Sequence, residues 1–400
     1  MFSRRAFLTT TLAASSLALT SRMAFAADWA AVESAAKGQT VYFNAWAGAD
    51  TINAYIAWAG AEVEKRYGVK VEHVKITDTG EVVKRVRDEV AAGKLDGSVD
   101  LVWINGENFR AMKQEKLLFG PFAESLPNFA LVDVKGKPTT RQDFSESVDG
   151  LESPWGMAQF TFFADGAKVA KPPRSMVELA AFAKANPGRV TYPAPPDFYG
   201  TTFLKQALFE QTPDKSKLYE AADDGTAGML TTDLFASFLD DFHKSLWRDG
   251  KQFPKTQAEV TQMVADGELL IGLTFNPNEP ANLVAAGTLP SSTIAWQHEK
   301  GTIGNTHFVA IPVNAKAQAG AQVFANFLLS PAAQAKKNDL KTWGDPTVLA
   351  VSKLSGDDAK MFMADAVPGS VSLPGPAVLE PHASWVGALE KAWLERYGRG

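Results

Sequence analysis

The chain contains no cysteine. Disulfides, thiolate zinc sites, iron–sulfur clusters and cysteine nucleophiles are excluded together, so the fold must stand on an apolar core, which 400 residues can supply. Histidine is scarce, with five in all, and only His298 and His307 lie close together in the chain. No His-Glu-x-x-His, Gly-x-Ser-x-Gly or Gly-x-Gly-x-x-Gly motif occurs, and no metal-ligand spacing; the usual marks of zinc proteases, serine hydrolases and dinucleotide enzymes are missing. Like charges never run beyond a few residues and the net charge is −5, a balance unsuited to nucleic acid. Beyond the N-terminus no apolar stretch approaches membrane length.

What is present begins with Ser3-Arg4-Arg5-Ala6-Phe7-Leu8, an apolar run from about Ala6 to Leu19, and Ala24-Phe25-Ala26, a small-x-small cleavage site. Together they describe a bacterial export signal too short to span a membrane. The paired Arg4 and Arg5 make it the twin-arginine type, which carries folded proteins, and Arg22 before the cleavage site suits the general secretion channel poorly. The competing reading is a general secretion signal whose arginines are only its positive start. Cleavage after Ala26 leaves 37 basic and 45 acidic residues, a net charge of −8. Without a cysteine at the cleavage point the usual lipid anchor is absent, so the mature chain is expected to be periplasmic, not membrane-inserted and monomeric. Ten tryptophans and twenty-five phenylalanines suit both a large core and aromatic binding walls.

From Gln39 the pattern alternates. Short β-rich runs at 39–45, 69–76 and 98–104 are each followed by helical spacing, with Ile52, Tyr55, Ile56, Ala59 and Val63 forming one stripe over 50–67. Three strand–helix units in a row imply a parallel sheet covered on both faces, with ligands bound beyond the strands' carboxyl ends. After a Pro-, Gly- and Asp-rich connection at 118–154 the alternation restarts: a strand at 155–165, a helix at 175–185, a strand at 189–193, helices around 200–210, 231–247 and 256–265, and a strand at 268–275. A strand at 302–312 and tandem helices at 315–329 and 331–338 extend the second unit or return to the first; the pattern leaves both open. The tail helix within 380–397 puts Trp385, Leu389 and Trp393 on one face, a packing stripe.

The stretch Gly301–Asp339, with a strand ending Ile311-Pro312 followed by Phe324-Ala325-Asn326-Phe327-Leu328-Leu329-Ser330-Pro331, resembles the closing part of the periplasmic solute-binding proteins of ABC importers. Asp100–Asn108, Gly150–Asp165 and Glu268–Asn278 fall where that family places strand ends and the crossover between lobes, and the resemblance covers nearly the whole mature chain. It is similar in particular to the YnjB-like branch, described as thiamine-type import components and related to polyamine, iron and thiamine binders. The resemblance implies a two-lobed α/β fold of the type II kind, each lobe a mostly parallel sheet flanked by helices and joined by crossover strands. It divides the chain into the signal at 1–26, a first lobe at 27–158, a second at 159–298, and at 299–400 a return to the first lobe with C-terminal helices. It implies a small-molecule ligand between the lobes, a membrane permease and ATPase as partners, no cofactor, and closure about a hinge as the signal the permease reads.

Four strand ends offer candidate ligand contacts. The first is Asn44, Trp46 and Asp50, where Trp46 is alternatively a core aromatic and Asp50 a helix cap. The second is Trp103, Asn105, Glu107 and Asn108, two amides and a carboxylate directly after a buried strand. The third is Tyr199, Thr201 and Thr202 with Gly200, an anion-friendly nest or an ordinary helix start. The fourth is Phe275, Asn276 and Asn278, the last again a possible cap. Trp155, Trp343 and Asp345 are further candidates.

Aromatic, amide-rich and acidic, this set suits a flat or cationic organic ligand, thiamine- or polyamine-like, better than a phosphate or sugar acid, which would call for arginines. None of the seven tyrosines adjoins another, which argues against the adjacent-tyrosine iron site of the related branch. The alternatives are a twin-arginine-exported enzyme, in which His298 and His307 could face each other, and a ligand-sensing clamp for a membrane receptor.

Overall fold

The computed structural model describes residues 29–363, 367–373 and 375–398. The export signal and its cleavage site lie outside the described residues. After a helical stretch at 29–36 come three strand–helix units: β1 (Thr40–Trp46), α1 (Asp50–Tyr67), β2 (Lys70–Ile76), α2 (Thr79–Ala91), β3 (Leu101–Ile104) and α3 (Glu107–Gln114). β1 pairs in parallel with both β2 and β3, as strands joined by crossover helices must. The α1 stripe Ile52, Tyr55, Ile56, Ala59 and Val63 is buried on one face of this sheet, while Val82, Val83 and Val86 of α2 and Phe109 and Met112 of α3 cover the other.

The single strand read at 155–165 is two, β4 (Glu152–Gln159) in the first sheet and β5 (Thr161–Asp165) in the second. They part at Phe160, whose N–H donates to the Ile303 carbonyl (2.8 Å) where the chain passes between lobes. The second lobe follows with α4 (Met176–Ala185), α5 (Phe198–Gln211), α6 (Asp224–Leu234), α7 (Gln257–Ala265), β6 (Gly272–Thr274), α8 (Glu279–Ala285) and β7 (Thr293–Trp296). β8 (Thr302–Ala310) then joins the first sheet, antiparallel to both β3 and β4, and α9 (Gln318–Leu328) and α10 (Pro331–Asn338) pack there. The tail adds β9 (Val371–Leu373) beside β7, β10 (Ala377–Val378) beside β8, and α11 (Ser384–Tyr397).

The architecture is two-lobed α/β, but the second sheet is not mostly parallel. β5 runs antiparallel to β6 and β7, and only β7 and β9 are parallel. The chain enters this lobe on β5 and leaves it on β7, so these neighbours must run oppositely; the same exit and return reverse β4 and β8 in the first sheet. Residues 189–193 form no strand either. Single bonds, from Trp247 N–H to the Val190 carbonyl (2.9 Å) and from Leu270 N–H to that of Arg189 (2.8 Å), replace a ladder. In α11, Trp385, Leu389 and Trp393 are buried in the second lobe's core with Phe203 and Phe242, and the Trp393 indole donates to Tyr192 Oη (2.9 Å). After β8 the chain thus passes to the second sheet at β9, back to the first at β10 and again to the second lobe at α11.

Candidate functional site

The parallel strands β1, β2 and β3 end together at one edge, which places Trp46, Asp78 and Asn105 on the same wall. Trp46 is 41% exposed, with its ring lying over Gly48, where any side chain would collide with it. Asp50 is exposed in the first turn of α1; the cap position is Ala49, so Asp50 favours the helix dipole without capping. Asn44 is fully buried in β1, donating to the Tyr42 carbonyl (3.3 Å) and accepting from Arg85 (3.5 Å). Glu107 stands exposed at the start of α3, after Gly106, whose positive φ of 62° turns the chain from β3 into that helix. Asn105 and Asn108 are half-buried on either side of it.

Beneath this wall the structure gathers residues from distant parts of the chain. The ring of Trp103 meets that of Trp155 edge-on at 5.0 Å, His307 at 5.1 Å and Trp343 at 5.8 Å. Trp155 is wholly buried, the floor of this cluster, whereas Trp103 is half-buried. Asp345 accepts from Lys337 (2.7 Å) and lies 3.2 Å from His307. Burial pushes the Lys337 ammonium down from its ordinary pKa, while the Lys337 and His307 charges hold the Asp345 carboxyl low against its own burial. His298 sits elsewhere, stacked on Phe162 and paired with Glu210, so the two histidines do not face each other.

The second lobe's wall carries Phe198, Tyr199, Phe275, Asn276 and Asn278. The nest at the start of α5 is already filled: Asp197 accepts from the N–H groups of Tyr199 (2.9 Å) and Gly200 (3.3 Å), so this is an ordinary capped terminus. Thr201 points to Glu390 of α11 (2.7 Å) and Thr202 is buried. Burial, then the charges of Glu279 and Asp197, push the Tyr199 hydroxyl up in pKa. Asn278 holds the cap position of α8, yet its side chain makes no cap. It donates instead to the Gly344 carbonyl (2.6 Å), beside donations from Asn276 (3.4 Å) and Asn282 (2.9 Å) to that of Trp343. Three amides of the second lobe thereby grip the segment that carries the Trp343 ring.

Sequence reasoning missed a second cluster between the lobes. Lys205 of α5 and Glu380 form a buried ion pair, and the other Glu380 oxygen accepts from Asn305 of β8 (2.8 Å). Asp143 and Glu152 are buried nearby, and burial first, then neighbouring acids, raises both carboxyls well above their ordinary range. Glu107 belongs to this field, for its charge acts on Asp143, Glu380 and Glu390. Phe198, 40% exposed, was passed over for its neighbour Tyr199. A lysine and a glutamate 175 residues apart carry no local signal that they meet.

The family model described as bacterial extracellular solute-binding protein matches residues 58–365, more than half of the chain. The protein belongs to the bacterial extracellular solute-binding proteins. This solute-binding protein is 47% identical over 383 residues to the protein YnjB of Escherichia coli (strain K12), covering 96% of this chain and 97% of that one. Among solved structures it is similar to an ABC transporter protein from Clostridium perfringens ATCC 13124, at 15% identity and TM-score 0.61, covering 90% of this chain and 99% of that one. It is also similar to the spermidine/putrescine ABC transporter substrate-binding protein of Streptococcus pneumoniae, at 15% identity and TM-score 0.58, covering 89% and 98%. At such identities these structures speak for the shared two-lobed fold alone. A solute-binding protein of the ABC-transporter family needs a wall on each lobe and a chain that crosses between them, and both are present here. Among the described residues no helix is long and apolar enough to cross a membrane.

Proposed function

We propose that this solute-binding protein captures a small organic cation between its lobes and delivers it to an ABC permease and ATPase at the inner membrane. The observation that carries the reading is the acidic cluster at Lys205: Glu380 pairs with its ammonium, Glu390 lies within reach of the same charge, and Glu107 adds its charge to both carboxyls. Carboxylates beside aromatic rings in a partly dry cleft favour a cation over an anion by charge and by ring quadrupole. The ligand is thiamine- or polyamine-like, held between Trp46, Trp103 and Tyr199 with Glu107 supplying countercharge. Spermidine and putrescine, named for the Streptococcus pneumoniae protein, are cations of this kind. Closure turns about the crossings at Phe160 and between β7 and β8, the first of which is flanked by the bond from Gln159 N–H to the Phe275 carbonyl (2.9 Å). The protein is exported by the twin-arginine route, begins at Ala27, works as a monomer and leaves its ligand chemically unchanged.

Calorimetry with thiamine and spermidine tests the ligand class. Glu107→Gln keeps shape while removing charge and is expected to weaken binding by about 1.5–3 kcal/mol. Unchanged affinity, or a wild type that prefers an anion, overturns the assignment. Periplasmic fractionation of the double variant Arg4→Lys, Arg5→Lys tests the route: export should stop, and normal periplasmic levels would mean general secretion.

A further inference from the structure

The Lys205 ammonium occupies a socket with the chemistry an amine ligand needs. It donates to Glu380, lies 4.3 Å from the centroid of the Phe144 ring and 5.7 Å from that of Phe198, and is only 1% exposed. One carboxylate and two aromatic faces are a complete ammonium-recognition set. The set is assembled from separate parts of the fold. Phe198 and Lys205 belong to α5 of the second lobe, Glu380 to the tail, and Phe144 to the turn of a small hairpin pairing Gln142–Asp143 with Glu146–Ser147 in the first lobe's connection. That turn is strained, with Phe144 and Ser145 both left-handed at φ 44° and 63°. Two bonds hold it: Asp143 accepts from Gly106 N–H (2.6 Å), and Ser145 donates to the Glu380 carbonyl (2.6 Å). Gly106 has no side chain because one would meet the Phe144 ring at 2.7 Å. Much local structure is thus committed to placing an aromatic face over one ammonium.

Resting on the cation reading above, we infer that Lys205 is an internal competitor in the ligand's ammonium subsite: a bound amine takes its place on Glu380 between Phe144 and Phe198, and the lysine swings out. Exchanging one ammonium for another keeps Glu380 paired, whereas a neutral solute entering the socket would leave the carboxylate buried and alone. The lysine is a flexible four-carbon stem, and the Phe198 ring beside its ammonium is 40% exposed. The socket therefore selects for a protonated amine and admits it only against a built-in rival.

Putrescine, n-propylammonium and inorganic phosphate are titrated calorimetrically into the wild type, Lys205→Ala and the double variant Lys205→Ala, Glu380→Gln. Propylammonium matches the atoms that alanine removes. Lys205→Ala is expected to bind putrescine at least tenfold more tightly than the wild type and to bind propylammonium, and the double variant is expected to lose both gains. Equal or weaker putrescine binding by Lys205→Ala, or a gain that survives loss of the Glu380 charge, overturns the inference while leaving a cation-binding wild type intact. A wild type that prefers phosphate overturns the cation reading itself. Acetylation of the wild type read by mass spectrometry does not depend on the variants folding: saturating putrescine should expose Lys205 to the reagent, and unchanged protection counts against displacement.

Discussion

Gly156 lies so close to Asp345 that a side chain on it would collide with the Asp345 carboxylate and the Lys337 ammonium. Strand β4 can pass over the buried pair of Lys337 and Asp345 only because residue 156 has no Cβ. Gly156→Ala should part the pair and leave buried charges uncompensated, at a cost of about 3–5 kcal/mol. Urea denaturation followed by tryptophan fluorescence reads this directly, since Trp155 and Trp343 flank Lys337. A loss below about 1 kcal/mol would show that the pair rearranges without strain.

The buried carboxyls of Asp143 and Glu152 make stability fall as pH rises above the ordinary carboxyl pKa. Both are raised in the folded protein, mainly by burial, so between the ordinary carboxylate pKa and the raised values the folded state holds more protons than the unfolded one. Stability from this pair is full below the ordinary pKa and declines as pH rises toward the raised ones. Among the described residues both Glu152 oxygens lack a partner, so Glu152→Gln, which stays neutral, should flatten the decline and add about 1–3 kcal/mol at neutral pH. Denaturation midpoints measured from pH 4 to 8 check this, and parallel slopes for the two proteins would refute it.

His243 works in the opposite direction. Burial holds its pKa down at about 4, against a partial lift from Asp240, and its Nε2 pairs with Tyr192 Oη at 2.8 Å. Its neutral form is the folded one, so stability is lost as pH falls from the unfolded value of 6.5 toward 4, by on the order of 3 kcal/mol in total. His243→Phe should remove that part of the acid sensitivity. Unaltered acid sensitivity in the variant would place its origin elsewhere.

The grip of Asn278 and Asn282 on the Gly344 and Trp343 carbonyls bridges the lobes. Replacing both with Ala should remove about 0.5–1.5 kcal/mol per bond from the closed arrangement. Small-angle scattering is expected to report a larger radius of gyration for the ligand-free double variant, with weaker ligand binding in proportion to the lost closed population. An unchanged radius would mean that the bonds are replaced by others or persist on opening.

The α1 stripe, the strand starts after Gln39 and the tail stripe at Trp385, Leu389 and Trp393 were all legible, because helix and strand periodicity is written locally wherever one face must be buried. The place of Trp46, Trp103 and Glu107 at or just beyond the ends of β1 and β3 was legible too, since parallel strands bring their carboxyl ends together. What the sequence alone determined is this inventory: an apolar core without cross-links, alternating units, and strand ends carrying aromatic, amide and acid groups. Strand direction in the second lobe, the use of Asn278 as a bridge instead of a cap, and the meeting of Lys205 with Glu380 and Phe144 were decided only by the tertiary structure. Those relations join residues far apart in the chain, and their energy comes from burial and pairing that exist only once the two lobes have come together.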